Sequence, residues 1–196
     1  MRFTRDFMKT CLIVIDVQES FRHRPFFTEN DLPDFLAAQN ALIDGCVTLG
    51  VPVVRVFHSS WPDVADNSFA QSSGQVRPLQ GLAPFDAAAT FTKSRHSALV
   101  GTGLDVWLAT HGIQRLIVSG IRTEQCCETT TRHASDLGWA VDYVPDATLT
   151  WDMMQPDGRT LSAADIKART TTVLQERFAT ICTVPQALER LTHADH

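Results

Sequence analysis

Residues 11–15, Cys-Leu-Ile-Val-Ile, run five apolar side chains together without a break and stop at Asp16. A strand with one face in water alternates apolar and polar residues. A run with no alternation needs cover on both faces, as for a strand inside a parallel sheet with helices above and below it. Residues 51–57 (VPVVRVF) and 116–118 (LIV) have the same character, 140–144 are strand-like, and 178–184 form a last β-rich run. Helical signals fill the gaps. Asn30-Asp31 followed by Pro33 marks a start, Phe35, Ala38, Leu42, Cys46 and Leu49 give an apolar stripe, and Gly50 ends it. Leu104, Trp107 and Leu108 mark a short helix closed by Gly112, and 185–191 read as a short terminal helix. Ser162 is placed to cap a helix carrying Ile166, Thr170, Val173 and Leu174. Strands and helices alternate without repeats, low-complexity segments or a linker. The pattern predicts one α/β domain over residues 1–196 with a mostly parallel sheet of about six strands.

With 196 residues, 44% of them hydrophobic, the chain can bury a sizeable core. A net charge of −5 argues against a nucleic-acid or anionic-membrane partner. The five cysteines are an odd number without C-x-x-C spacing, the 11–15 run leads straight into Asp16 rather than a cleavage site, and no stretch approaches a membrane span. A reduced, cytoplasmic, enzyme-sized domain is expected.

In an open α/β sheet, binding sites lie beyond the carboxyl ends of the strands, so the residues that follow each strand carry most of the information. Asp16 closes the first run; taken alone, an acid there serves as a turn former or cap as readily as in catalysis. In the stretch 115–138 (RLIVSGIRTEQCCETTTRHASDLG), Gly120 permits a sharp turn after the strand. Cys127, Thr130, Ala134 and Leu137 then recur at helical spacing, with Gly138 at the C′ position. Cys127 is in phase with the sheet-facing stripe. Cys126 lies about 100° around the helix, near a first turn whose free N–H groups and dipole favour a thiolate; the other reading is an inert buried cysteine. Lys93, one of three lysines with Lys9 and Lys167, sits in the mixed polar segment 90–98, where a solvated or a functional role both fit. The irregular stretch 62–88 is long for a compact domain, and a substrate lid is one use for such a loop.

Three residues at three strand ends, in this order and with these flanks, resemble the isochorismatase-like cysteine hydrolase superfamily, which includes nicotinamidases, N-carbamoylsarcosine amidase, ureidoacrylate hydrolases and isochorismatases. The matching pieces are Leu12-Ile13-Val14-Ile15-Asp16-Val17-Gln18 with Phe21, then Lys93 with Ser97, Gly101-Thr102 and Leu104. They continue in Gly120-Ile121-Arg122-Thr123-Glu124-Gln125-Cys126 with Thr130 and Ala134, Gly138 and Asp146-Ala147. The resemblance spans nearly the whole chain; its strength lies in the ordered set rather than in any one piece. It implies a three-layer α/β/α, isochorismatase-like (Rossmann-like) fold. It also implies a catalytic triad of Asp16, Lys93 and Cys126, an oxyanion hole from the backbone N–H groups of Arg122 and Cys126, and a cis peptide at Ile121–Arg122. The implied reaction is thiolate attack on a small molecule's carbonyl, with Asp16 as base and then acid, Lys93 as the balancing charge, a thioester intermediate and no cofactor. A homo-oligomer, dimer or tetramer, is the assembly expected from the resemblance.

The chain departs from parts of that superfamily. Nicotinamidases hold a metal through an Asp-x-His pattern after the second strand and further histidines downstream. Here 56–61 reads Val-Phe-His-Ser-Ser-Trp, the acid is missing, and no histidine follows until His96. No metal is therefore expected, and His58 is read as a hydrogen-bonded pocket residue. Isochorismatases proper hydrolyse a vinyl ether and usually lack the cysteine. Cys126 favours C–N hydrolysis of an amide or ureide, with the vinyl-ether reaction, using Asp16 as acid, as the alternative. Arg122 is larger than the residue often found at its position, and either meets a substrate carboxylate or serves as a surface or interface residue. Phe21 and Trp61 are pocket walls or ordinary core; Arg95 and His96 line an entrance or stand in solvent. A third class, a thiol redox or binding protein using Cys126-Cys127, requires a strained disulfide between neighbours.

Overall fold

A computed structural model describes residues 8–192; the two ends of the expected 1–196 domain, 1–7 and 193–196, lie outside the described residues. The elements run β1 (Thr10–Ile15), α1 (Leu32–Thr48), β2 (Val53–His58), β3 (Ala89–Lys93), α2 (Leu104–Thr110), β4 (Arg115–Ile121), α3 (Glu128–Asp136) and β5 (Ala140–Leu149). A short β6/β7 hairpin (Met153–Met154, Thr160–Leu161), α4 (Ala163–Leu174), β8 (Thr180–Ile181) and α5 (Val184–Glu189) complete the chain. Six strands form one sheet in the order β3-β2-β1-β4-β5-β8, and every pairing in it is parallel.

β1 sits between β2 and β4, and its continuous apolarity is used on both sides. Leu12 and Val14 pack with α1 and α5 residues such as Phe35, Leu42 and Ala187. Cys11, Ile13 and Ile15 pack on the other face with Leu104 and Leu108 of α2, Ala134 of α3 and Leu174 of α4. The result is the three-layer α/β/α arrangement that the unalternating runs demand.

Several local expectations are corrected. Gly120 lies inside β4, opposite Ile15, rather than at a turn; a Cβ there would fall 1.9 Å from the Ile15 carbonyl oxygen, so the glycine permits close strand approach. β5 continues through Pro145 to Leu149 by a register shift against β4, instead of closing at residue 144. The run 178–184 yields only a two-residue strand, β8. Leu49 and Leu137 leave their predicted apolar stripes and are exposed, because α1 ends at Thr48 and α3 at Asp136. Ser162 caps α4 as expected, its hydroxyl accepting from the Asp165 N–H at 3.1 Å.

Candidate active site

The carboxyl ends of β1, β3 and β4 meet at one edge of the sheet. Asp16 follows β1 directly and takes a left-handed backbone, φ 53°, that few residues other than glycine adopt, a local strain of the kind found at functional sites. Lys93 is the last residue of β3, paired in register with His58 at the end of β2. Cys126 lies past β4 on a π-helical turn, Thr123–Cys127, that leads into α3. That turn is pinned from below: Tyr143 Oη donates to the Thr123 carbonyl at 3.0 Å, and Thr123 Oγ1 donates to Thr148 Oγ1 at 2.8 Å. The peptide Ile121–Arg122 that precedes it is cis.

Lys93 spans the end of β2 and brings the groups together. Its Nζ lies 2.7 Å from Asp16 Oδ2, 3.0 Å from His58 Nδ1 and 3.2 Å from Cys126 Sγ. An ammonium has three N–H donors, and here it has three acceptors. Asp16 and Lys93 are both buried. Ligand atoms of Asp16, His58 and Cys126 lie within 4.8 Å of one another, a grouping that could hold a metal ion. In this structure the cation shared by all three is the lysine ammonium.

Burial dominates the protonation of the cluster. It pushes the Asp16 carboxyl above its ordinary range, against the pull of Lys93. Burial also opposes the Lys93 ammonium, but the charges and hydrogen bonds of Asp16 and Cys126 outweigh it and leave that group raised. Burial, and then the Asp16 charge, push the Cys126 thiol up to about 12. Lys93 acts against that push through its charge and its hydrogen bond to the sulfur. Burial, with the positive charge of Lys93, holds His58 down at about 4, so its imidazole is neutral and its Nδ1 is free to accept from Lys93. Gln18 fixes the backbone beneath it, donating to the His58 carbonyl and accepting from the His58 N–H.

A cavity of about 330 Å³ opens beside these groups and is lined by Asp16, Phe21, His58, Arg122 and Cys126 among others. Arg122 is only 7% exposed, which excludes the surface reading. Its guanidinium lies over the rings of Phe26 and Trp151, its Nε is 3.0 Å from Glu124 Oε1, and its Nη2 donates to the Trp151 carbonyl. Phe21 is a wall residue, edge-on to Phe69 and backed by Trp151. Trp61 is not: it is 86% exposed and borders a separate depression with Asp63 and Gln71. Asn67 bonds the carbonyls of Ser60 and Pro62, folding the segment so that Ser60 and Phe69 line the cavity while Trp61 faces out. Replacing Trp61 by alanine is accordingly expected to leave KM within about twofold and stability within about 0.5 kcal/mol, measured by initial rates and thermal unfolding.

Phe26, Asn67, Phe69 and Gln125 also line the cavity and escaped the sequence reading, as did Trp151 behind them. Only Trp151 left a signal, as a large aromatic just past the β5 strand end. The stretch 62–88 is less a free lid than a fixed wall: Ala70 and Leu79 are buried, and the Leu79 N–H donates to the Val17 carbonyl. Cys126 and Cys127 are both free thiols, and Cys127 is packed in the core as its helical phase predicts. No helix among the described residues is long and apolar enough to cross a membrane.

Comparison with known proteins agrees with this architecture. An isochorismatase domain model matches residues 10–184. The isochorismatase family protein YrdC of Bacillus subtilis, itself uncharacterized, is 27% identical over 182 residues, covering 92% of this chain and 95% of its own. Ureidoacrylate amidohydrolase RutB of Pantoea ananatis is 24% identical over 178 residues, 71% of this chain and 69% of its own. The crystal structure of an isochorismatase-family protein from Chromobacterium violaceum superimposes with a TM-score of 0.84 at 27% identity, covering 98% of this chain and 97% of its own. With a family model spanning β1 to the start of α5 and a solved relative of the same fold along nearly its full length, this chain belongs to the isochorismatase family of hydrolases.

Proposed function

We propose that this chain hydrolyses the C–N bond of a small amide or ureide through a thioester on Cys126, the whole chain acting as one domain. The observation that carries this reading is the single ammonium, Lys93 Nζ, in contact with a carboxylate, a thiol and a neutral imidazole at the edge of a cavity. Losing a proton from this buried cluster to solvent would set two anions against one cation. Moving the proton from Cys126 to Asp16 changes no net charge, so a thiolate forms by internal transfer even though the thiol is pushed up to about 12. Asp16, raised by burial, is a stronger base than an ordinary carboxylate and afterwards the acid that protonates the departing amine. Lys93 stays charged beside whichever group is the anion.

The backbone N–H groups of Arg122 and Cys126 are assigned to the developing oxyanion, on the turn that Thr123 and Tyr143 hold in place. A cavity of about 330 Å³ fits a small substrate, at the lower end of ordinary ligand sites. The similarity to RutB, a ureidoacrylate amidohydrolase, supports the bond class. We assign the Arg122 side chain to a substrate carboxylate. For a substrate bearing one, Arg122→Met is expected to raise KM by about 10–100-fold with kcat changed far less, since a charge-assisted hydrogen bond contributes about 1.5–3 kcal/mol. An unchanged KM in initial-rate assays would leave the guanidinium to Glu124 and Trp151 alone.

The test is ammonia release from a panel of small amides, ureides and carbamoyl compounds, with acid-quenched samples analysed for an acyl group on the Cys126 peptide. Release with acyl-Cys126 in the quenched sample is the expected result. Release with no acylated cysteine under single-turnover conditions would overturn the thioester mechanism.

A further inference from the structure

Of the groups so far assigned to chemistry, Asp16 and Lys93 are buried beside the Cys126 sulfur. A second imidazole, this one exposed, stands beside the same sulfur. His96 lines the cavity, is exposed to solvent, and places its Nδ1 3.8 Å from Cys126 Sγ. It is not a loose surface side chain. Three residues before it Lys93 is buried at the end of β3, and immediately after it Ser97 and Ala98 are buried and tied to α3. Ser97 Oγ is 2.9 Å from His133 Nδ1, and the Ala98 N–H donates to Thr130 Oγ1 at 3.0 Å. The short connection that carries His96 is thus clamped at both ends against the elements that hold the thiol.

We propose that His96 is a second proton-transfer residue, acting on the water that hydrolyses the Cys126 thioester. The proposal rests on the thioester reading above and divides the reaction between two sides of one sulfur. On the buried side, Asp16 takes the thiol proton and hands it to the departing amine, ending as a carboxylate paired with Lys93. On the open side, the water reaches the acyl carbon from solvent. The imidazole of His96 takes one proton from that water as its oxygen bonds to the carbon. The C–S bond then breaks, and the imidazolium returns the proton to sulfur, leaving a carboxylic or carbamic acid and the free thiol. An imidazole suits this place because a ring nitrogen can accept a proton and give it back.

The experiment uses p-nitrophenyl acetate, an activated ester whose leaving group needs no protonation, so acylation and deacylation separate as a nitrophenolate burst and a slow phase. Wild type, His96→Asn, His96→Gln and Cys126→Ala are compared, with acetyl-enzyme followed by intact mass. For both His96 variants we expect a burst of about one nitrophenolate per site, a slow phase reduced on the order of 10²-fold, and acetyl-enzyme that accumulates, the size expected for one general acid–base group. A slow phase at the wild-type rate in both variants, or a burst that falls in parallel with it, overturns the proposal. A burst that survives in Cys126→Ala, or is missing in wild type, overturns the thioester reading instead, and the role of His96 with it.

Discussion

Cys126→Ala is expected to remove amide hydrolysis, lowering kcat by at least about 10⁴-fold, because the nucleophile of a covalent mechanism has no substitute within the site. The protein itself should tolerate the change. Cys126 borders the cavity, so its sulfur leaves no new sealed void, and the expected cost is below about 1.5 kcal/mol. Substrate affinity, measured by equilibrium binding, should stay within a few-fold. The same variant separates the two hydrolase readings. If Asp16, raised by burial, acts as an acid on a vinyl ether, the thiol is a bystander and turnover of such a substrate survives. Asp16→Asn is the complementary variant, since it removes the proton carrier from both mechanisms while asparagine tolerates the left-handed backbone at this position.

Gly120→Ala is expected to destabilise the fold by about 4 kcal/mol or more, with a fall in Tm of roughly 10 °C in a chain of this size. The added methyl would sit 1.9 Å from the Ile15 oxygen and 2.8 Å from its nitrogen, and backbone atoms in the middle of a sheet have no rotamer to retreat to. The φ of +127° adds strain for any side chain. Any molecules that do fold must displace Ile15, and Asp16 with it, so activity should fall further than stability alone explains. Gly138→Ala is the control. It too has a positive φ, +95°, but nothing lies within 4 Å of its Cβ position, and the left-handed penalty of about 1–2 kcal/mol is all that is expected. Chemical denaturation of the two variants side by side distinguishes steric collision from backbone strain.

The sheet was legible because burial on two faces writes itself into local sequence: residues 11–15 and 116–118 needed nothing else to be read. Asp16, Lys93 and Cys126 were legible as strand-end residues, and the ordered resemblance joined them. What local pattern could not convey was direction. Gly120 reads as a turn glycine because sequence gives its flexibility but not the Ile15 carbonyl that faces it. Trp61 and Phe69 are equally plausible walls by composition; Asn67, through bonds to two carbonyls, decides which of them turns inward. Trp151 reaches Phe21 across 130 residues of chain, a contact with no period to betray it. The burial of Cys126 and its nearness to the Asp16 carboxylate are long-range facts of the same kind.

Asp16 and Lys93 stand at strand ends of one sheet and Cys126 on the turn after β4, while the aromatic walls at Phe21 and Phe69 stand on the connections between strands. For anyone designing a covalent inhibitor, this means that a warhead aimed at the thiol would meet the same chemistry in any chain built on this cluster. Discrimination would have to be drawn from the ring faces of Phe21 and Phe69 and from the guanidinium of Arg122, which line the cavity outside that cluster.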